Sequence, residues 1–166
     1  MSNMKNGRWL VKSYPTDEVS EDNFELVYAE VPEPGEGEVL IQTTSLVMSP
    51  PLRMAIGTGG ITGNRVKIGD MMRGSGQGVV VKSQHPDFLE GDLVAGAMGW
   101  QEYAVTDGER PFPLEKISPR ARQPITANLH VMGASGATAY VGLYDIAKPK
   151  VGDVVLVSAA AGSVGA

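Results

Sequence analysis

The sequence contains no cysteine among its 166 residues. That absence excludes a disulfide scaffold, a thiolate nucleophile and a zinc site with cysteine ligands. Histidine is scarce as well: only His85 and His130 occur, and neither has a companion at ligand spacing. We therefore expect no metal site in this chain. His85 is interpreted as a surface turn residue, and His130 as either a packed residue between two domains or a contact to a cofactor.

Long apolar runs and clusters of basic residues are also missing. No apolar run approaches the roughly 20 residues that span a bilayer, and the N-terminus lacks the apolar core of a signal peptide. The formal net charge is −5 with no basic stripe, so nucleic acid is not expected as a partner. These absences predict a cytoplasmic protein that binds neither membranes nor nucleic acid.

Glycine and proline, by contrast, are abundant, with 21 and 11 residues. Spread among β-branched residues, they favour many short strands joined by tight turns. The pair Pro50 and Pro51 ends the third of these strands, and alternate glycines in the fourth indicate a bulge or a sharp corner. Residues 56–68 are rich in glycine and form either a mobile loop or a substrate lid. Alternating or apolar segments predict strands at residues 8–14, 24–31, 38–48, 71–84, 93–97, 100–106 and, within a bend, 111–117.

The C-terminal part follows a different pattern. Residues 135–147 predict one helix, with Ser135 as its N-cap and apolar residues at helical spacing. Residues 153–157 are mostly apolar and predict a buried parallel strand. A glycine-rich turn follows the strand. The order of elements predicts a mainly β fold. A barrel spans residues 1–128, and residues 129–166 hold a connecting helix and the first strand and turn of a dinucleotide-binding domain.

The glycine-rich turn carries the strongest indication of function. Gly162 and Gly165 are three residues apart, and glycines at this spacing after a strand let the backbone approach a pyrophosphate. The alternative is a run of small residues that merely ends a strand. The helix, the second strand and the ribose-reading residue of such a unit do not follow in this sequence. We therefore expect the chain to be the N-terminal part of a larger oxidoreductase.

Several stretches together carry a family resemblance: 73–83 (RGSGQGVVVKS), 99–105 (GWQEYAV), 138–143 (TAYVGL), 148–153 (KPKVGD) and 157–165 (VSAAAGSVG). The chain resembles the zinc-independent medium-chain dehydrogenase/reductases, and within them the NADP-dependent 2-alkenal, prostaglandin and curcumin reductases. The resemblance implies a GroES-like barrel followed by a Rossmann domain. It also implies hydride transfer from NADPH to the β-carbon of an α,β-unsaturated ketone or aldehyde, a small-molecule substrate and a homodimer.

Four residues of this chain match family positions that contact the cofactor. Gly162, Val164 and Gly165 match the pyrophosphate turn, and Thr138 matches the Thr-Ala-Tyr motif of the helix that borders the nicotinamide pocket. The resemblance implies NADP(H) contacts for these four. Thr138 is alternatively a helix cap. Tyr140 in the same motif is interpreted as core packing, with a catalytic acid as the alternative.

The substrate side departs from the family pattern. Residues 49–53 (SPPLR) align with the usual Asp-Pro-Tyr-Met-Arg. Pro50 and Arg53 are retained, which implies pocket positions, although Arg53 is alternatively a structural arginine paired with a carboxylate. Ser75 stands where certain plant relatives have a pocket tyrosine, and Ala134 where many relatives have a methionine beside the cofactor. The tyrosine credited with assisting protonation has no match in this chain, so no catalytic residue is assigned.

Two other functions stay open. One is a quinone reductase of the same superfamily, and the other is a non-catalytic barrel that acts as a binding module. We expect the chain by itself to be inactive and to bind NADP(H) weakly, because a lone turn offers few amide donors against the entropy of association. Residues 153–157 would lack parallel neighbours. We expect them to be disordered, to dock on the barrel or to pair with another copy of the chain.

Overall fold

The computed structural model describes residues 4–57, 63–109, 113–118 and 124–165. The chain forms two compact units, Met1–Lys116 and Ile117–Ala166. The first unit contains all the strands and the second contains the C-terminal helix. The mainly β architecture that the sequence predicts is confirmed. The predicted domain boundary between residues 128 and 129 stays a prediction.

A two-stranded sheet opens the first unit. Strand β1 (Lys5–Val11) pairs antiparallel with β2 (Phe24–Glu30) over their full length. Both were expected from alternating apolar and polar residues, and β2 does alternate between exposed and half-buried positions from Leu26 onward. The hairpin leaves one face partly open to solvent, as antiparallel sheets often do.

The second sheet has five strands, and all its pairs are antiparallel. The spatial order is β6-β3-β4-β5-β7. Each strand coincides with a predicted segment, although the last one is only two residues long. The strands are β3 (Val39–Leu46), β4 (Ser75–Ser83), β5 (Leu93–Ala97), β6 (Tyr103–Thr106) and β7 (Glu115–Lys116).

The alternate glycines predict a bulge or a sharp corner, and the β3–β4 ladder is irregular beside them. The β3–β4 register shifts between Leu40 and Ile41 and again between Thr43 and Ser45. Opposite these shifts, a Cβ on Gly78 would meet the carbonyl of Gln42 and would lie 2.6 Å from Ile41 Cγ2. Glycine is required there because the two strands approach more closely than a side chain allows.

Two apolar clusters form the core of the first unit. One lies on the five-stranded sheet and the other gathers residues from β1, a short helix and the loop after it. The sheet cluster consists of Val39, Ile41, Val80, Phe88, Val94, Met98, Ala104 and Leu114. The second cluster consists of Val11, Ile56, Val66 and Met72.

The short helix α1 (Pro50–Ile56) was not expected from the sequence. Pro50 and Pro51 do follow the end of β3, as predicted, but they also begin this helix. Proline suits the first helical turn because its missing N–H would be unpaired there in any case. The buried Ile56 anchors the helix in the second cluster. Residues 58–62 of the predicted glycine-rich loop lie outside the described residues.

The second unit begins with a 3-10 turn (Ile125–Leu129) and continues with helix α2 (Ala134–Tyr140). The helix continues as π-helical turns over Val141–Ala147, so the predicted helix at 135–147 is confirmed. The predicted N-cap at Ser135 is wrong. Gly133 occupies that position with an extended backbone (φ −108°, ψ −159°), because the chain enters the helix two residues earlier.

The predicted strand at residues 153–157 is not formed. The segment makes no ladder with any described residue, and Val154 and Leu156 are 98% and 95% exposed. A parallel strand needs neighbours to receive its N–H and C=O groups, and this unit has no strand among its described residues. Whether the segment is disordered, docks on the barrel or pairs with another copy of the chain stays a prediction. None of the helices in the described ranges has the length and apolarity of a bilayer crossing.

Candidate cofactor and substrate sites

The glycine-rich turn is folded tightly on itself. Ala159 takes a left-handed backbone conformation (φ 49°), and its carbonyl accepts a hydrogen bond from Gly162 N at 2.8 Å. A Cβ on Gly165 would lie 2.7 Å from the same carbonyl oxygen and 2.9 Å from Ala160 Cα. Only glycine fits at position 165 without moving backbone. The glycine in the sequence motif therefore has a local steric reason.

A cavity of about 830 Å³ opens beside this turn, within the second unit. One wall is formed by the turn before α2 and the start of that helix, and the other by residues 161–164. A Cβ on Gly136 would meet the carbonyl of Val131, so the helix begins against the preceding turn without a gap. The polar side chains among the lining residues are those of His130, Ser135, Tyr140 and Ser163. No acidic residue is among them, so an anion in this cavity meets no like charge.

The four predicted cofactor residues divide into two pairs. Gly162 and Val164 line the cavity, whereas Thr138 and Gly165 do not. The Thr138 hydroxyl donates to the carbonyl of Ala134 at 2.7 Å, one helical turn back, so Thr138 does not cap the helix. Their role toward a cofactor stays a prediction.

The cavity also contains residues that the sequence interpretation did not assign to it. Tyr140 lines the cavity, is 61% exposed and stacks on Tyr144 with ring centroids 5.0 Å apart. Its interpretation as core packing is therefore wrong. Ser135 and Ser163 were missed, although Ser163 stands between the two glycines of the motif, where a cavity-facing side chain is to be expected.

The predicted substrate residues lie in the first unit. Pro50 is the first residue of α1, and Ser75 is the first residue of β4. The Ser75 carbonyl accepts a hydrogen bond from Val47 N at 2.9 Å, which ties the start of β4 to the segment leading into α1. Arg53 Nη2 donates to the carbonyl of Asp17 at 2.7 Å. Its hydrogen bond is thus to a backbone oxygen. None of the three lines the two clefts described for this unit.

The two histidines have separate environments. His85 Nδ1 accepts a hydrogen bond from Asp87 N at 3.0 Å, and its ring packs edge-on against Phe88. This geometry is that of a turn residue. His130 is exposed and lines the cavity of the second unit. Across the described ranges, no three histidine, aspartate or glutamate side chains are grouped as a metal site requires.

Comparisons with known proteins identify the family. A family model described as the N-terminal domain of oxidoreductase matches residues 7–114. The NADPH-dependent curcumin reductase of Escherichia coli (strain K12) is 39% identical over 162 residues, which are 98% of this chain and 46% of that protein. The chain belongs to the medium-chain dehydrogenase/reductase superfamily. Its resemblance to the curcumin and prostaglandin reductase branch is confirmed.

Further relatives agree with that assignment. Prostaglandin reductase 1 of Mus musculus is 36% identical over 157 residues, covering 95% of this chain and 45% of that protein. The crystal structure of CurA from Vibrio vulnificus in complex with NADPH superimposes with a TM-score of 0.85 at 34% identity, covering 96% of this chain and 46% of that one. The expected GroES-like architecture is thus confirmed. The chain spans about half the length of the curated relatives that it matches.

Proposed function

We propose that the protein containing this chain is an NADPH-dependent oxidoreductase that reduces the C=C bond of α,β-unsaturated ketones or aldehydes. The observation that supports it most is the wall formed by Gly162, Ser163 and Val164 on a cavity with no acidic side chain among its described lining residues. The names of the relatives, an NADPH-dependent curcumin reductase and a prostaglandin reductase, agree with this reaction. The substrate is a small molecule, and the full-length enzyme is a homodimer.

The residues of the second unit suit an anionic dinucleotide. The lining offers the hydroxyls of Ser135, Tyr140 and Ser163 and no carboxylate. Gly162 N is already bonded to Ala159 O, so the serine hydroxyls and the other turn amides are the donors left for phosphate oxygens. Phosphates are commonly held by such hydroxyl and amide donors. In this proposal NADPH is held by Gly162, Val164, Gly165 and Thr138, and Ser163 is added as a phosphate donor.

Bound NADPH supplies the hydride. Thr138 does not line the cavity, and its hydroxyl donates its proton to Ala134 O at 2.7 Å, so only the lone pairs of this hydroxyl are left to accept a hydrogen bond from the cofactor. On the substrate side, Pro50 and Arg53 shape the start of α1. The hydrogen bond from Arg53 Nη2 to the backbone carbonyl of Asp17 holds the guanidinium in place. No proton donor is assigned within this chain.

The test uses the full-length protein and follows NADPH oxidation with a panel of small molecules. The panel contains an enone, an α,β-unsaturated aldehyde, a quinone and a saturated ketone. Turnover of the enone and the enal with a saturated carbonyl product supports the proposal. Turnover of the quinone alone assigns the protein to the quinone-reductase alternative, and no turnover of any compound rejects an oxidoreductase of this kind.

A matched pair of variants tests the cofactor wall. Ser163→Asp places a carboxylate in the cavity, whereas Ser163→Asn has a similar size without charge. We expect the aspartate to raise KM for NADPH by about tenfold or more, because like charges a few ångströms apart repel by about 1–4 kcal/mol. The asparagine variant should change KM by less than about threefold. Equal changes in KM for NADPH in the two variants would show that residues 162–164 are not part of the cofactor site.

A further inference from the structure

Two neighbouring clefts of the first unit share four apolar residues. One has a volume of about 520 Å³ and the other of about 390 Å³, and both are lined by Trp9, Leu46, Met48 and Trp100. These two tryptophans are the only ones in the sequence. The shared residues make the two clefts a single groove, which we call the tryptophan groove. Its volume is in the range of sites that hold small molecules.

The two ends of the tryptophan groove differ in polarity. Phe24 and Val19 close the larger end, where the Phe24 and Trp100 rings lie with centroids 5.0 Å apart. The smaller end contains polar side chains, among them Thr43, Ser45 and Gln101. An apolar aromatic body fits the aromatic end, and a hydrogen-bonding group fits the other. Large apolar side chains remain open to solvent there: Trp9 is 40% and Met48 is 60% exposed.

The walls of the groove are held by backbone hydrogen bonds. Trp9 N donates to Trp100 O, Met72 N donates to Trp9 O, and Trp100 N donates to Met72 O, each at 2.9 Å. Gly74 leaves room for the indole, because a Cβ there would lie 2.8 Å from Trp100 Cδ1. Both tryptophans therefore stand on fixed backbone. A ligand that enters such a preformed site spends little free energy on ordering the protein.

The charges of the groove select among ligands. Glu21 lines the larger end and Glu102 the smaller, and no lysine or arginine is among the described lining residues. The Glu102 carboxylate is fixed by Gly7 N, which donates to it at 2.8 Å. An anion would meet two carboxylates without a counter-charge. A cation would meet those carboxylates and the faces of two indoles.

We propose that the tryptophan groove is a binding site for an aromatic molecule without negative charge. The site needs neither NADPH nor the reduction reaction. All the residues of the site belong to the first unit. A failure of this proposal can therefore be distinguished from a failure of the proposed function.

The test uses the 166-residue chain and three probes that differ only in charge: biphenylmethanol, biphenylmethylamine and biphenylcarboxylate. Binding is followed by tryptophan fluorescence and by calorimetry. We expect the neutral and cationic probes to change the emission and to bind in the micromolar to millimolar range. The carboxylate should bind about fivefold more weakly than the alcohol at low ionic strength, and salt should narrow the difference. Equal binding of all three probes, or no change in emission with any of them, would overturn the proposal.

Two sets of variants locate the probe. Met48→Glu places a charge in the shared middle of the groove and should weaken the neutral probe by about tenfold. Leu89→Glu is the matched control, since Leu89 is 65% exposed and lies outside the groove. Glu21→Gln combined with Glu102→Gln should raise the affinity for the carboxylate probe until it is close to the affinity for the alcohol. An equal loss in the Leu89 variant overturns the site, as does a probe affinity that falls when protein concentration rises, because then a second copy covers the groove.

Discussion

Replacing Asn6 by alanine should weaken the connection between the two sheets of the first unit and lower the stability of the chain. Asn6 is only 2% exposed, and its side chain reaches from β1 to β6. Its Oδ1 accepts a hydrogen bond from Tyr103 N at 2.9 Å, and its Nδ2 donates to Tyr103 O at 2.8 Å and to Gln101 Oε1 at 3.2 Å. The carboxamide thus pairs with both backbone groups of one residue, as another strand residue would. It supplements the isolated bridges Arg8–Gln101 and Leu10–Met71.

The expected cost follows from the groups left behind. Asn6→Ala removes the partners of the Tyr103 N–H and C=O groups. Both groups face the buried position 6, where little solvent replaces the lost partners. An unsatisfied buried polar group costs about 1–3 kcal/mol, so the free energy of unfolding should fall by about 2–4 kcal/mol. For a domain of this size, that lowers Tm by roughly 8–16 °C. Urea unfolding and thermal melts followed by circular dichroism measure both quantities.

Gln42→Ala is the matched control. The Gln42 amide is exposed and lies 3.4 Å from the hydroxyl of the same Tyr103, so its removal should change stability by no more than about 0.5 kcal/mol. If Asn6→Ala melts within the range of this control, the carboxamide does not join the sheets.

Asn6→Asp adds a test by pH. The carboxylate keeps the acceptor for Tyr103 N but places an oxygen against Tyr103 O, and burial raises the pKa of the introduced carboxyl. When it is protonated, the carboxyl donates to Tyr103 O as the amide did. The native state then binds more protons than the unfolded state, so the stability of this variant rises as pH falls through the raised pKa. Its deficit against the wild type should be smaller at about pH 5 than at about pH 7.5; a deficit independent of pH would contradict the geometry.

Three further outcomes are expected. Gly78→Ala should destabilise the chain by about 3 kcal/mol in urea unfolding, because the new Cβ would meet the Gln42 carbonyl. Gly35→Ala should be nearly neutral, because its Cβ meets only the end of the Glu38 side chain at 3.3 Å. Calorimetry of the 166-residue chain with NADPH should show no binding tighter than about 100 µM; micromolar affinity would refute it. The exposed residues 154–157 should make the chain self-associate at high concentration, and Leu156→Lys should reduce this in light scattering.

The strands were predictable because their determinants are local. Alternating side chains and turn residues at short spacing locate the strands, and the glycines of β4 indicate the irregular pairing opposite Thr43 and Ser45. Helix α1 was missed because seven residues with two prolines give no periodic signal. Its formation depends on burial of Ile56 against residues distant in sequence, which composition does not encode.

The candidate site was predictable in position but not in detail. The spacing of Gly162 and Gly165 correctly indicates a tight turn, and the turn does form a cavity wall. Which side chains face the cavity depends on the path of the backbone around Ala159 and on the point where α2 begins, and both are set by contacts such as that of Gly136 with Val131. The N-cap was predicted at Ser135 instead of Gly133 because the point where α2 begins depends on these contacts. The prediction of a strand at 153–157 is wrong because a strand needs neighbouring strands to pair with. The apolar content of the segment carries no information about those neighbours.

The two candidate sites differ in charge, and this difference gives them different ligands. The cavity of the second unit has hydroxyls and no acidic lining residue, whereas the tryptophan groove of the first has Glu21 and Glu102 and no basic lining residue among those described. Under the two proposals, the cavity of the second unit accepts the phosphates of a dinucleotide, which the carboxylates of the tryptophan groove would repel. The indole faces that an uncharged aromatic molecule would contact lie in the tryptophan groove. The charge-changing variants should therefore act independently. Ser163→Asp should leave the affinity for biphenylmethanol unchanged, and the paired glutamate-to-glutamine variant should leave KM for NADPH unchanged. Cross-effects of either variant would show that the sites share a ligand.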